Sequence, residues 1–148
     1  MIATFVGRWK WIGLVGTVLL SMQIFNNLPS PAELQTDANA TSWSTTIESD
    51  LQANNQAYLM NFTAAWCITC QTNDKPALSR PRVKEFLSDQ NIQYIPADWT
   101  NRNEDIAMGL AKYNRTGIPL YIFWKPGMIE SKILPAVLTE DLLIRNMQ

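Results

Sequence analysis

The pattern of apolar and polar positions divides the chain after residue 43 into short strands and helices. The predicted strands are apolar-rich runs bounded by Asn, Gly or Pro, and they cover residues 57–62, 92–99, 120–124 and 128–134. The first run, AYLMNF, is apolar at nearly every position. This composition is typical of a central strand that is covered on both faces.

Apolar residues spaced three or four apart predict the helices between these strands. The first helix covers 46–54, and the second runs from Cys70 to about Lys75, where Pro76 kinks or ends it. Ser79 and Pro81 open the third helix, which closes near Asp89. The fourth follows Asn101, and the last covers 141–147. Thr45 with Glu48, and Asn101 with Glu104, predict capping boxes, and Thr139 is expected to cap the last helix.

The predicted element order is α-β-α-α-β-α-β-β-α. Helical crossovers join the early strands, whereas the turn at 125–127 joins the last two. This order predicts an α/β domain with a central mixed sheet flanked by helices. With 148 residues, the chain has room for one such domain and an N-terminal extension.

The N-terminal extension carries an uncharged run, WIGLVGTVLLSMQIF (11–25), directly after Arg8 and Lys10. As a helix this run would span about 22 Å, which is less than the roughly 30 Å of a hydrocarbon core. Alone it fits a signal peptide. Extended to residue 1 or residue 28 it is long enough to anchor the protein, and an uncleaved anchor is the interpretation we favour.

These features predict three parts: a signal anchor or signal peptide over 1–28, a linker over 29–42 and a folded domain over 43–148. Cations precede the apolar run and acidic residues follow it. The positive-inside rule therefore places the domain outside the cytoplasm. We expect a single-pass protein of the inner membrane, with its domain in the periplasm or an equivalent lumen.

Composition excludes several classes of function. The net charge of −1, without a basic run interleaved with aromatics, gives no reason to expect a nucleic-acid partner. The sequence has no histidine, which excludes Ser-His and Cys-His nucleophile pairs. Its two cysteines are too few for a structural zinc site within one chain. No metal or other cofactor is expected.

Candidate chemistry lies in AWCITCQ (65–71), which holds both cysteines of the chain. A helix N-terminus stabilises a thiolate, so Cys67 is expected to be the nucleophile and Cys70, one turn later, to resolve the mixed disulfide. Trp66 would shield one side of the pair. A shared metal site and a permanent structural disulfide are the alternatives.

A second element, Ile118-Pro119, follows Gly117 and precedes an apolar strand. An X-Pro bond in this position predicts a cis peptide beside Cys67, although a proline that merely opens a strand is the simpler alternative. A CxxC pair between the first long strand and the next helix is the thioredoxin-like arrangement.

Four stretches resemble the C-terminal thioredoxin-like domain of the thiol:disulfide interchange protein DsbD family: NFTAAWCITCQTND, SRPRVKEFL, TGIPLYIFW and LPAVLT. The resemblance covers about residues 43–148. It implies a thioredoxin-like fold and an exported reductase that receives electrons from a membrane-embedded donor and passes them to exported thiol proteins. It also implies that Ile118 and Pro119 face the cysteines and bind the incoming chain.

The sequence departs from that family in two respects. The family's multi-helix electron conduit is not in this sequence. Either another protein supplies the electrons, or the chain uses a different donor, or the chain is a piece of a longer one. Asn61 stands six residues before Cys67, where such reductases often carry a buried acid. Asp74 matches an acidic position of the family and is the remaining candidate to tune Cys70; the alternative is a solvated helix carboxylate.

The sequence therefore predicts a membrane-tethered periplasmic thiol-disulfide oxidoreductase that acts mainly as a reductase. Oxidase and isomerase activity stay open, because the residues between the cysteines do not fix a reduction potential. The rival hypothesis is a non-catalytic thioredoxin-like binding module, in which Cys67 and Cys70 form a permanent disulfide and a Trp-rich surface docks a partner.

Overall fold

The structure is a computed structural model, and it describes residues 43–148. The predicted membrane segment 1–28 and linker 29–42 lie outside the described residues. Within 43–148, none of the helices has the length and apolar character needed to cross a membrane.

Five α-helices and four strands form the described part of the chain. The helices are α1 (Ile47–Ala53), α2 (Ile68–Asn73), α3 (Pro81–Asp89), α4 (Glu104–Lys112) and α5 (Glu140–Met147). The strands are β1 (Tyr58–Thr63), β2 (Gln93–Asp98), β3 (Leu120–Trp124) and β4 (Lys132–Ile133). The predicted order of elements is confirmed.

The strands form one mixed sheet in the order β2-β1-β3-β4. β1 pairs in parallel with β2, whose helical crossover passes through α3, and in antiparallel with β3. β4 pairs in antiparallel with β3. The predicted mixed sheet flanked by helices is thus confirmed, and β1 occupies a central position.

Apolar side chains cover both faces of the sheet. On one face Leu59 and Phe123 pack with residues of α3 and α5. On the other face Met60 and Phe62 pack with residues of α1 and α4. Burying a large apolar side chain contributes about 1.5–3 kcal/mol. This two-sided burial is the reason that the β1 sequence is apolar at nearly every position rather than alternating.

The α-helix was predicted to run to about Lys75 and to kink or end at Pro76, and it ends slightly earlier. Helix α2 ends at Asn73 and continues as a π-helical turn, Asp74–Leu78. The Ser79 N–H closes this turn by donating to the Asp74 carbonyl oxygen at 2.7 Å. Proline lacks an N–H, and its ring crowds the carbonyl four residues earlier, so an ordinary α-helical turn is not available here.

Helix caps differ from the predictions at two places. The Asn101 cap is wrong, since Asn103 caps α4 through its Oδ1, which accepts from the Ile106 N–H at 2.8 Å. The Thr139 cap of α5 is confirmed, with its Oγ1 accepting from the Leu142 N–H at 3.3 Å.

The strand predicted over 128–134 is reduced to Lys132–Ile133, because few of its residues pair with β3.

The capping box of Thr45 and Glu48 is also wrong. Thr46 precedes α1 and makes no side-chain cap. The Glu48 carboxylate instead accepts hydrogen bonds from the hydroxyls of Tyr58 (3.0 Å), Tyr113 (2.6 Å) and Ser131 (3.0 Å). These long-range donors outcompete a local cap, because together they satisfy a carboxylate that is largely shielded from water.

Lys112 completes this Glu48 cluster with an ion pair of 2.5 Å. Burial opposes ionisation of Glu48, but the hydrogen bonds from Lys112, Tyr113 and Ser131 outweigh it, so the pKa of the carboxyl lies below its ordinary value of 4.5. The cluster joins α1 to α4, to the first residue of β1 and to the residue before β4.

We predict that Glu48→Gln lowers the free energy of unfolding at neutral pH by about 1–3 kcal/mol, because buried donors lose a charged acceptor. The folded pKa lies below the ordinary value, so the unfolded chain binds more protons in acid. The stabilisation is therefore complete above pH 4.5 and is lost as the pH falls through the folded pKa. Urea unfolding of the full chain at several pH values measures the difference.

The matched control is Glu85→Gln, which removes an exposed carboxylate from α3. This variant should unfold like the wild type at neutral pH. A difference between Glu48→Gln and wild type that stays constant from neutral to acidic pH would contradict the assignment.

Candidate active site

The two cysteines lie just beyond the end of β1, where the chain turns into α2. The Cys67 N–H donates to the Ala64 carbonyl oxygen at 3.1 Å and so closes the turn that separates strand from helix. Cys67 and Cys70 form a disulfide with an S–S distance of 2.05 Å and a Cα–Cα distance of 5.2 Å. Both sulfur ligands that a shared metal site would need are therefore joined to each other.

Cys67 is the N-cap residue of α2, and its Sγ accepts a hydrogen bond from the Cys70 N–H at 3.1 Å. A backbone donor of this kind stabilises negative charge on sulfur when the disulfide is reduced. Cys67 is 7% exposed and Cys70 4%, so their accessibilities are nearly equal. The difference between the two sulfurs comes from the N-cap position of Cys67.

The predicted cis peptide between Ile118 and Pro119 is confirmed. Ile118 packs against Cys67, Cys70 and Ala64. Pro119 follows Ile118 directly and precedes Leu120, the first residue of β3. The Ile118-Pro119 peptide thus contacts the cysteine cluster through Ile118, and its role in docking stays a prediction.

Trp66 is 45% exposed and lies against the loop that follows β2. Its indole Nε1 donates to the Thr100 carbonyl oxygen at 3.1 Å, while the neighbouring Ala65 N–H donates to Thr100 Oγ1 at 2.9 Å. The ring centroids of Trp66 and Trp99 are 6.0 Å apart. This loop was not predicted to belong to the site, since Trp99 is distant in sequence and is indistinguishable from a core residue.

Asn61 is 5% exposed, and its side chain lies in the interior between the sheet and its helices. Its Nδ2 donates to the Tyr94 hydroxyl at 2.7 Å. Its Oδ1 is buried and has no hydrogen-bond partner among residues 43–148. Such an orphaned acceptor costs about 1–3 kcal/mol, or holds an ordered water.

Asn73, the last residue of α2, makes the most complete set of side-chain hydrogen bonds near the site. Its Nδ2 donates to the Tyr121 hydroxyl at 2.9 Å and to the Ala136 carbonyl oxygen at 2.6 Å. Its Oδ1 accepts from the Leu138 N–H at 3.1 Å. The buried amide thereby fixes the end of the cysteine helix to β3 and to the segment before α5. Sequence reasoning missed Asn73, although it lies within the CITCQTND stretch.

Asp74 is the C-cap residue of α2 and is partly exposed. Its backbone N–H donates to the Cys70 carbonyl oxygen, which places the two residues one helical turn apart on the same face. Burial, together with the Asp74 charge, raises the pKa of Tyr94 to about 12 and also raises that of Tyr121. The two phenols and the carboxylate are therefore electrostatically coupled.

A disulfide of CxxC spacing at the start of the helix after a central strand, with Ile118 of a cis Ile118-Pro119 peptide packed against the cysteines, is the thioredoxin-like arrangement. A scan against protein-family models agrees: residues 40–126 match the family described as thioredoxin-like. The chain belongs to the thioredoxin-like family.

Curated relatives confirm the resemblance to DsbD. The chain is 28% identical to the thiol:disulfide interchange protein DsbD of Campylobacter jejuni (strain RM1221) over 97 residues, which cover 66% of this chain and 17% of that protein. It is 28% identical to the DsbD of Salmonella typhi over 135 residues, which cover 83% of this chain and 23% of the relative. The chain thus spans about a fifth of these relatives.

Solved structures show the same fold. The C-terminal domain of Neisseria meningitidis DsbD in the reduced form matches with a TM-score of 0.55 and 20% identity, covering 68% of this chain and 86% of that one. A thioredoxin from Thermus thermophilus matches with a TM-score of 0.55 and 18% identity, covering 73% and 84%. The DsbD relatives and the CxxC disulfide together support thiol-disulfide oxidoreductase activity.

Proposed function

We propose that this protein is a membrane-tethered thiol-disulfide oxidoreductase that acts mainly as a reductase of exported thiol proteins. The observation that carries the proposal is the Cys67–Cys70 disulfide, in which Cys67 caps α2 and its Sγ accepts the Cys70 N–H. This geometry favours a thiolate on Cys67 in the reduced protein.

The first step is an attack by the Cys67 thiolate on a disulfide of the partner. A mixed disulfide forms between Cys67 and one partner sulfur, while the other partner sulfur leaves as a thiolate and takes a proton from solvent. Trp66, Ile118 and Pro119 form the surface on which the partner docks, because Ile118 packs against the cluster that contains both cysteines and the exposed Trp66 directly precedes Cys67.

The second step resolves the mixed disulfide. Cys70 loses its proton and attacks Cys67 Sγ, which releases the partner's second thiolate and forms the Cys67–Cys70 disulfide. Two electrons have then passed to the partner. Asp74 is the group that we assign to accept the Cys70 proton, since Asn61 carries an amide that is not a base. Asn61 contributes a buried polar atom instead of a carboxylate.

Continued turnover needs a reductant that returns two electrons to the disulfide. We assign this role to a membrane-embedded dithiol donor, as the resemblance to DsbD implies. The N-terminal segment 1–28 would hold the domain at the membrane, in the periplasm or an equivalent lumen, where both the donor and exported partners are accessible.

A non-catalytic binding module is the second candidate function. The low exposure of both cysteines favours it, because a buried disulfide is less accessible to an attacking thiolate. In that case Cys67 and Cys70 would stay joined, and the Trp66 surface alone would bind the partner.

Substitution of single cysteines tests the redox roles. We predict that Cys70→Ser accumulates mixed disulfides with partner proteins, because Cys67 still attacks and resolution is lost. Cys67→Ser should accumulate none, since Cys70 lacks the N-cap position. The full chain is expressed in a bacterium, thiols are trapped by acid and alkylation, and complexes are resolved on non-reducing gels.

The double variant Cys67→Ser/Cys70→Ser is the control for non-covalent association. Complexes trapped by Cys67→Ser rather than Cys70→Ser would reverse the assigned roles. Equal absence of complexes in both single variants would favour the binding module.

The role of Asp74 predicts that Asp74→Asn slows resolution of a Cys67 mixed disulfide by about tenfold or more, with the larger effect at lower pH, because a general base is lost. Stopped-flow mixing of the reduced full chain with a disulfide peptide, followed by acid quench, measures the lifetime of the intermediate. Adding Asn61→Asp to this variant should restore part of the rate by supplying a buried carboxylate.

Asp89→Asn removes a comparable exposed carboxylate at the end of α3 and should leave the lifetime unchanged. An Asp74→Asn variant that resolves at the wild-type rate would assign Asp74 to the solvated helix surface instead.

If segment 1–28 is an uncleaved anchor, the full chain should sediment with membranes. It should also resist extraction by high salt and alkali, because an apolar helix would hold it in the bilayer. Fractionation of cells that express the chain measures this. A shortened form in the soluble exported fraction would indicate a cleaved signal peptide.

A further inference from the structure

The guanidinium of Arg102 lies over the ring of Trp66, the residue that directly precedes the candidate nucleophile. Its Cζ is 4.8 Å from the ring centroid of Trp66 and 5.7 Å from that of Trp99. Because Trp66 immediately precedes Cys67, this stacking places a permanent positive charge on the surface next to the disulfide. No step of the proposed redox chemistry uses the charge of Arg102.

The loop after β2 holds Arg102 in an unusual conformation. Its φ of 52° lies in the left-handed region, which is unfavourable for a residue with a Cβ. The Arg102 N–H donates to the Trp99 carbonyl oxygen at 3.0 Å, and Trp99 Nε1 donates to the Asn103 carbonyl oxygen at 3.1 Å. Strain that several hydrogen bonds maintain is typical of a functional position.

Arg102 makes no ion pair with any carboxylate of residues 43–148, whose ion pairs involve Arg80, Arg82 and Lys112. The carboxylate of Asp98, at the start of the same loop, accepts from the N–H and Oγ1 of Thr100. Stacking occupies a face of the guanidinium and leaves N–H edges for a further acceptor. A planar fork of N–H donors is complementary to a carboxylate.

The occupant is a protein segment rather than a free anion, because the charge adjoins exposed apolar side chains. Trp66 is 45% exposed and Ile68 76%, and they flank Cys67 in the sequence. A small anion would gain nothing from these surfaces, whereas a peptide placing its disulfide over Cys67 would cover them.

We propose that Arg102, held over Trp66 and Trp99, is a specificity determinant that selects partner segments carrying an Asp or Glu beside the cysteine that Cys67 attacks. This inference rests on the proposed reductase function and names the class of partner it serves. A charge at the rim of a docking surface acts mainly on the rate of productive encounter, and salt weakens it.

The test uses the reduced full chain and three cyclic disulfide peptides that differ at the residue beside one cysteine, which is Glu, Gln or Lys. In each reaction two electrons and two protons pass from Cys67 and Cys70 to the peptide, which becomes a dithiol, while the protein becomes a disulfide. Acid quench and alkylation at intervals give the second-order rate constants.

Wild type should reduce the Glu peptide roughly two- to fivefold faster than the Gln peptide in low salt, and the Lys peptide more slowly than either. Arg102→Gln should abolish this preference by slowing the Glu peptide and speeding the Lys peptide, with the Gln peptide unchanged. Arg102→Lys should retain part of it through its charge. High salt should remove it in the wild type.

Arg145→Gln is the matched control, since it removes an exposed cation from the last turn of α5. Its preference for the Glu peptide should equal that of wild type. If Arg102→Gln slows all three peptides equally, Arg102 acts on the reactivity of Cys67 and the specificity role is overturned. An unchanged preference in Arg102→Gln also overturns it.

A small uncharged disulfide, 2-hydroxyethyl disulfide, separates this inference from the proposed function. Wild type and Arg102→Gln should reduce it at equal rates. If wild type fails to reduce both this disulfide and the peptides, then the reductase function itself is wrong. If wild type reduces them all without preference for Glu, only the role of Arg102 fails.

Discussion

The placement of β1 between β2 and β3 is the constraint on which the rest of the structure depends. Its backbone is paired on both sides, and its side chains are buried on both faces. The strand therefore has little freedom to shift its register. Its end at Thr63 fixes where the chain turns, and this turn makes Cys67 the N-cap of α2. The reactivity expected of Cys67 thus follows from the packing of a strand that contains neither cysteine.

The two buried asparagines introduce a conflict into this apolar packing. Asn73 is fully bonded and fixes the end of α2, whereas Asn61 leaves Oδ1 without a partner. An apolar residue at position 61 would remove the orphaned acceptor and its cost. An amide takes no proton, so Asn61 cannot act as a base. Proton transfer is therefore left to groups nearer the surface, of which Asp74 is adjacent to Cys70.

The sequence predicts elements better than it predicts the contacts that hold them. Strands β1 and β3 were predictable because uniform burial leaves an apolar run, and the Thr139 cap because it is local. Glu48 was assigned to a cap because its donors Tyr113 and Ser131 are brought close only by the fold. Arg102 was unpredictable for a similar reason: its left-handed backbone and its stacking on Trp66 depend on hydrogen bonds that no sequence pattern encodes.

The Glu48 cluster, which stabilises the fold, and the cysteines lie at opposite ends of the sheet. Because β3 runs antiparallel to β1, its first residue, Leu120, pairs with Phe62 near the cysteines, and its last, Trp124, pairs with Tyr58. The Tyr58 hydroxyl donates to Glu48, so this partly buried carboxylate lies at the end remote from the disulfide. Loops at the cysteine end can therefore adopt strained conformations, as at Arg102, without weakening the Glu48 cluster. The arrangement separates the groups that recognise a partner from those that keep the domain folded.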